Sequence, residues 1–155
     1  MTNMGHGIFA GLFVASDEAL SMWELAGLTP EAWPAVEFKR LETVKLGRLE
    51  AILTERSYEQ TVADRRTELV ATGGDAGPWI IRVADSLVDA LAGLPPERVS
   101  DVAEAWTQTQ ELRRDAAGQL RPEEIVSLID RVNRMPQLAA YARSSGLPML
   151  LLMSL

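Results

Sequence analysis

The chain has 155 residues, of which 47% are hydrophobic and 24% are charged, a composition typical of one globular domain with its own core. It contains no cysteine, which excludes disulfides, zinc-thiolate sites and thiol catalysis and fits a reducing cytoplasm. The formal charge of −7 disfavours nucleic acid as a partner, because surfaces that bind nucleic acid are usually basic. We therefore expect a single cytoplasmic domain over residues 1–155.

An apolar segment with several glycines opens the chain. Residues 7–14 favour a buried strand, since glycine disfavours a helix. A signal-peptide core over residues 8–16 is the alternative, but no Lys or Arg precedes it and the run is short. No run in the chain approaches the roughly 20 apolar residues of a membrane span, so we expect no membrane. A helix is predicted from Ser16 to near Gly27, and residues 29–31 mark a second helix start.

Residues 36–56 have the strongest helical pattern. Six apolar side chains fall on one wide helical stripe: Phe38, Leu41, Val44, Leu49, Ile52 and Leu53. Residues 58–71 are polar and weakly periodic, which predicts a short exposed helix. The glycine-rich residues 71–78 predict a loop, and they lack the Lys-Ser/Thr pair of a phosphate-binding loop.

The middle of the chain predicts a strand that runs directly into a helix. Residues 79–83 are rich in β-branched and aromatic side chains, which indicates a strand. Apolar residues then recur at three- and four-residue steps, which indicates an amphipathic helix. Asp85 is the predicted N-cap, and Gly93 and Pro95 mark the helix end.

Prolines and glycines divide the last third of the chain. Residues 95–96 open a predicted helix that Gly118 breaks, and Pro122 begins the last long helix. Pro136 should kink, end or restart that helix, because proline removes a hydrogen bond and clashes with the preceding turn. Residues 149–154 form a continuous apolar run after Gly and Pro, which predicts a strand covered on both faces.

An isolated strand cannot satisfy its backbone hydrogen-bonding groups, so the three predicted strands should pair. We expect an α+β fold: a predominantly helical single domain with a small three-stranded sheet. Its strands would lie near residues 7–14, 79–83 and 149–154 and would join the start, middle and end of the chain.

Several of these features occur together in a known order. Met4 and Gly5 precede an apolar strand, a helix ends in the sequence Leu-Glu-Ala-Ile-Leu-Thr at residues 49–54, and a mid-chain strand runs into a helix. A tryptophan-bearing helix and an apolar last strand follow. This order resembles the YfbM-like family of small uncharacterised bacterial domains over most of the chain, although the Leu- and Met-rich tail and Pro136 depart from it. The resemblance implies a single α+β domain in the bacterial cytoplasm and no catalytic residues.

Candidate chemistry is sparse. His6 is the only histidine, and neither a His/Cys metal cluster nor a Ser-His-Asp triad can be assembled around it. We expect a surface or strand-end role for His6, and no metal, cofactor or catalytic residue. The other aromatic candidates are interpreted as core or core-edge packing: Trp23, Trp33 and Trp79.

Two groups could line a ligand-binding cleft. Glu42 and Lys45 point toward the apolar stripe of their predicted helix, either reaching water at its edges or lining a cleft as a charged pair. Trp106, Thr109 and Gln110 continue one helix face, which either reaches the surface or forms a small pocket floored by Trp106.

Acidic residues concentrate between residues 84 and 104. This segment has one base, Arg98, and a local charge of −4. Its five acids are Asp85, Asp89, Glu97, Asp101 and Glu104. They form either a solvated helix surface or an acidic face that docks a basic protein partner.

Two functional hypotheses follow. The first is a protein-interaction module of the immunity or antitoxin kind, which binds a basic partner through Asp89, Glu97, Asp101 and Glu104. The second is a small-ligand-binding protein or enzyme with a cleft near Trp106, Thr109, Gln110, Glu42 and Lys45. Small size, acidity and the lack of catalytic groups favour the first. The oligomeric state stays open.

Overall fold

The computed structural model describes residues 11–16, 34–38, 40–64, 68–72, 79–116 and 118–153, which form an antiparallel sheet and a set of helices. Within these residues the sheet has five strands in the order β2-β1-β5-β4-β3, and all neighbours are antiparallel. The strands are β1 (Gly11–Val14), β2 (Ala35–Glu37), β3 (Glu68–Thr72), β4 (Trp79–Arg82) and β5 (Met149–Met153). The predicted α+β class is confirmed.

Six α-helices and one short 3₁₀-helix lie in the described part of the chain. They are α1 (Thr43–Thr54), α2 (Tyr58–Asp64), α3 (Asp85–Ala92), the 3₁₀-helix Pro96–Arg98, α4 (Val99–Thr107), α5 (Gln110–Asp115) and α6 (Pro122–Ser145). None of them is long and apolar enough to cross a membrane.

The three predicted strands form the centre of the sheet. β5, the last strand in the chain, lies between β1 and β4, and Leu151 is paired with Leu12 on one side and Ile81 on the other. The first four residues of β5 are buried, so the predicted coverage of both faces is confirmed. Residues 7–10 of the first predicted strand lie outside the described residues.

The predicted sheet was two strands too small, because β2 and β3 lie where helices were expected. β2 occupies the start of the predicted helix 36–56, and β3 occupies the end of the predicted helix 58–71. Val36 and Phe38 are buried while Glu37 is exposed, which is the alternation of a strand. Phe38 also falls on the predicted helical stripe, but Val36 would lie on the opposite side of such a helix, and pairing with β1 selects the strand.

Gly11 is what lets β2 approach β1 so closely. Its φ is +141°, and an added Cβ would lie 2.4 Å from the carbonyl oxygen of Val36. Any side chain here would therefore collide with the backbone of the neighbouring strand.

The central strand and helix form as predicted, with a shift of one residue at the helix start. The N-cap is Ala84 rather than Asp85, and no side chain caps the helix. The backbone N–H of Val83 still donates to the carbonyl of Met149, so the sheet holds the chain extended up to Ala84. Gly93 ends the helix as expected.

The helix predicted from residue 95 to Gly118 is instead three pieces. The chain is extended at Thr109, whose hydroxyl donates a hydrogen bond of 2.6 Å to the carbonyl oxygen of Trp106. This side chain competes with the backbone for a helical acceptor and ends α4. Gly118, at φ +120°, follows the end of α5.

Helix α6 begins at Pro122 as predicted and runs through Pro136 to Ser145. The predicted break at Pro136 is therefore wrong, and a kink there stays a prediction. Met135, Leu138 and Ala139 are buried around the proline, and this packing holds the helix together despite the lost hydrogen bond.

Several predicted features lie outside the described residues. They are residues 17–27 of the helix predicted from Ser16, the helix start at residues 29–31, and the side chains of His6, Trp23 and Trp33. Residues 73–78 of the loop predicted at residues 71–78 also lie outside them, while residues 71–72 belong to β3 rather than to a loop.

We predict that a chain truncated after Leu147 does not fold cooperatively. It loses β5, which leaves β1 and β4 with unpaired edges and exposes apolar area worth several kcal/mol at about 25 cal/mol per Å². Thermal unfolding followed by circular dichroism measures this, and a chain that ends at Met153 is the control. A cooperative transition in the shorter chain would contradict the central role of β5.

Candidate ligand-binding cleft

Glu42 caps helix α1 rather than lining a cleft. Its carboxylate accepts hydrogen bonds from the backbone N–H of Val44 at 3.4 Å and of Lys45 at 2.8 Å. The predicted helix 36–56 therefore begins only at Thr43, and Glu42 has the structural role of an N-cap.

Lys45 is almost fully buried, with 5% of its surface exposed. Its ammonium group donates a hydrogen bond to the carbonyl oxygen of Arg40, in the turn that leads into α1. Arg40 has a φ of +63°, a left-handed conformation that residues other than glycine rarely adopt. The buried ammonium thus ties a strained turn to the helix that follows it.

Trp106 lies behind the cleft rather than at its floor. The side chain is fully buried, and its indole N–H donates a hydrogen bond of 3.1 Å to the backbone carbonyl of Lys45. Its ring packs against Phe38 with 5.4 Å between ring centroids and a tilt of 52°. Phe38, not Trp106, lines the cleft.

The cleft itself has a volume of about 390 Å³ and lies between the turn before α1, the end of α5 and the first half of α6. Its apolar lining is Phe38, Leu112, Ala116, Leu120 and Leu128. Its polar lining is Arg40, Lys45, Glu123, Glu124, Ser127 and Arg131.

The two carboxylates of the lining are already engaged. Arg121, the N-cap residue of α6, places its Nε 3.5 Å from Glu123 and 3.2 Å from Glu124. The backbone and side-chain hydrogen bonds from Arg121 lower the pKa of the Glu124 carboxyl, so it stays ionised as part of the helix cap.

Arg131 is held rigidly at the rim. Its Nε donates a hydrogen bond of 3.1 Å to the backbone carbonyl of Glu37, and its Nη1 donates hydrogen bonds to the carbonyl and hydroxyl oxygens of Ser127. The guanidinium lies 5.5 Å from the ring centroid of Phe38. These contacts orient the plane of the guanidinium beside the apolar floor.

Of the five residues predicted to bind a ligand, only Lys45 lines this cleft. Thr109 ends α4 and Gln110 is exposed at the start of α5, and neither belongs to the lining. Sequence reasoning missed Arg40 and Arg131, because no local pattern distinguishes them from other surface arginines.

A second polar cluster connects α1 to other helices. The Nε of Arg48 donates a hydrogen bond of 3.0 Å to the carboxylate of Glu111, and its guanidinium carbon lies 4.1 Å from the ring centroid of Tyr58. The hydroxyl of Ser86 donates a hydrogen bond of 2.7 Å to one carboxylate oxygen of Glu50. The other oxygen has no partner in the described part of the chain. Burial raises the pKa of Glu111, but hydrogen bonds and the nearby guanidinium groups outweigh this, so its pKa lies below the ordinary 4.5.

The predicted acidic residues do not share one site. Asp85 lies 3.9 Å from Arg82, and Asp89 lies 3.5 Å from Arg143 near the end of α6.

Two of the remaining acids lie near the other end of α6. Asp101 and Glu104 line a separate cleft of about 400 Å³ with Ile125, near the start of the helix. Ile125 and Arg143 are about 27 Å apart along the axis at about 1.5 Å per residue. Glu97 is exposed in the 3₁₀-helix.

The described residues contain no group of three or more His, Cys, Asp or Glu that could hold a metal ion. No family model matches the chain, and no curated protein or solved structure matches it. The resemblance to the YfbM-like family therefore stays a prediction.

We predict that Arg48→Met lowers the free energy of unfolding by about 2 kcal/mol at pH 7, because it leaves the buried Glu111 carboxylate without its charged partner. A carboxyl with a lowered folded pKa contributes stability above its unfolded pKa and loses it as the pH falls through the folded value. The difference from wild type should therefore shrink below about pH 4.5.

Urea unfolding between pH 7 and pH 3 measures this difference. Arg143→Met, which removes an exposed ion pair with Asp89, is the matched control and should cost less than about 1 kcal/mol. If Arg48→Met lowers the free energy of unfolding by the same amount at pH 7 and at pH 3, the ion pair is not the source of the stability.

Proposed function

We propose that this protein binds a small molecule with an apolar body in the cleft at the start of α6. The observation that carries the proposal is the combination of an apolar floor and a cationic rim around about 390 Å³ of open volume. Ligand-binding sites in proteins typically have volumes of about 300–1,000 Å³, a mostly apolar lining and a few oriented polar groups.

The floor of the cleft is rigid. Phe38, Leu112 and Leu128 are each less than 9% exposed, and they belong to the main buried apolar cluster of the molecule. Trp106 packs behind Phe38 and is fixed by its hydrogen bond to Lys45. A floor supported in this way does not need to reorganise when a ligand binds, which favours affinity.

The polar groups of the lining favour binding over catalysis. Glu123 and Glu124 are paired with Arg121, and the hydroxyl of Ser127 accepts a hydrogen bond from Arg131. None of these contacts pairs a nucleophile with a general base, which nucleophilic catalysis requires.

We predict that a neutral apolar fluorophore, N-phenyl-1-naphthylamine, binds the wild-type chain and that Ala116→Trp abolishes this binding. Ala116 lines the cleft, and an indole in its place would fill much of the volume. Ala140→Trp, on the exposed side of α6, makes the same change away from the cleft and should bind normally. Fluorescence titration measures both.

Equal binding by the two variants would place the fluorophore elsewhere and contradict the proposal. Circular dichroism of Ala116→Trp checks that the variant is folded.

We also propose, as a second candidate, an interaction module that binds a basic protein partner. Its support is that Glu97, Asp101 and Glu104 are exposed and make no ion pair among the described residues, whereas Asp85 and Asp89 do. An acidic surface of this kind would accelerate association with a basic partner of the immunity or antitoxin class.

We predict that Asp101→Lys with Glu104→Lys slows association with a partner captured from the native host, and that added salt slows wild-type association. The matched control is Glu55→Lys with Glu59→Lys, an equal charge change at exposed positions around α2. Stopped-flow or surface-binding kinetics measure the rates. Equal rates in low salt for all three proteins would show that these acids form only a solvated surface.

A further inference from the structure

We infer that the ligand of the cleft carries an oxyanion head, a carboxylate or a phosphate, which Arg40 and Arg131 bind at the rim. This inference rests on the proposed ligand-binding function and adds the chemical class of the ligand. The ligand would then be an amphiphile, with its apolar body on Phe38, Leu112 and Leu128 and its anionic end between the two guanidinium groups.

Arg40 occupies a position that glycine would suit better. Its φ of +63° is a left-handed conformation, and a side chain in this region strains the backbone. The side chain is exposed, lines the cleft, and makes no hydrogen bond or ion pair in the described part of the chain. Nothing in the packing of the described residues explains an arginine here, whereas an anion in the cleft does.

Arg131 supplies a second guanidinium that is already oriented. Its Nε and Nη1 are used by Glu37 and Ser127, and its Nη2 has no hydrogen bond among the described residues. A guanidinium presents planar, paired donors that match the two oxygens of a carboxylate or phosphate. Because Arg131 is fixed in advance, less side-chain freedom is lost when an anion binds.

The local charge of the cleft also favours an anion. Three cations line it, Arg40, Lys45 and Arg131, against two carboxylates, and both carboxylates are paired with Arg121. The chain as a whole has a charge of −7, so the rim is a positive region on an acidic protein. A cleft with one sign of charge and apolar walls concentrates ligands of the opposite sign.

The test is displacement of N-phenyl-1-naphthylamine from the full chain by four ligands with the same alkyl chain: octanoate, octyl phosphate, 1-octanol and octyltrimethylammonium. All four are used below the concentrations at which they form micelles. We expect the two anions to bind at least about tenfold more tightly than the alcohol, as charged hydrogen bonds allow, and the cation to bind most weakly. A preference between octanoate and octyl phosphate identifies which oxyanion the site takes.

Variants then assign the effect to the two arginines. Arg40→Gly should reduce the preference for anions to nearly that of the alcohol, while its melting temperature stays equal or rises because the strain at Arg40 is relieved. Arg131→Gln should also reduce the preference. Arg134→Gln, a matched change on α6 at an exposed arginine 3.9 Å from Asp130, should leave it unchanged.

The outcomes separate this inference from the proposed function. If octanoate and octanol displace the fluorophore equally well, the oxyanion head is wrong and the apolar cleft still stands. If Arg40→Gly and Arg131→Gln keep the full preference for anions, the assignment to these two side chains is wrong. If no ligand displaces the fluorophore and Ala116→Trp binds it normally, the proposed function itself fails.

Discussion

The fold depends on the pairing of β5 with β1 and β4. β5 occupies the middle of the sheet, so its backbone groups are satisfied only when β1 and β4 are both in place. Its buried side chains also lie on both faces of the sheet. The sheet is therefore complete only when residues near the end of the chain are in place. The helices between β4 and β5 pack together against the sheet, and α6 is the longest of them.

Helix α1 connects the helices between β4 and β5 to the candidate site through one buried and two partly buried polar contacts. Lys45, Arg48 and Glu50 all lie on α1, and through their backbone or side chains they bond to Trp106 on α4, Glu111 on α5 and a serine on α3. Hydrogen bonds in a low-dielectric interior are sensitive to geometry, so they fix how the helix is placed more than apolar contacts can. One carboxylate oxygen of Glu50 has no partner among the described residues, which costs some stability for this placement.

The cleft is a consequence of the same arrangement. Trp106 holds Phe38 in place, the Lys45 ammonium holds the turn at Arg40, and Arg131 reaches from α6 to the backbone of β2. Three separate elements thus converge on one opening of about 390 Å³. By contrast, Asp89 lies 3.5 Å from Arg143 near one end of α6, and Asp101 and Glu104 lie near the other end. The geometry therefore gives more support to a ligand site than to one continuous acidic face.

The sequence by itself determined the elements whose patterns are long or local: the central strands, the strand-to-helix unit that begins at Trp79 and the start of α6 at Pro122. Tertiary structure alone decided the edge strands, since the three residues Ala35–Glu37 become a strand only where they pair with β1. It also decided the cleft. Arg40 and Arg131 are 91 positions apart in the chain, and only packing brings them to one cleft. Local periodicity encodes which face of an element is buried, but it does not encode which distant side chains that burial places together.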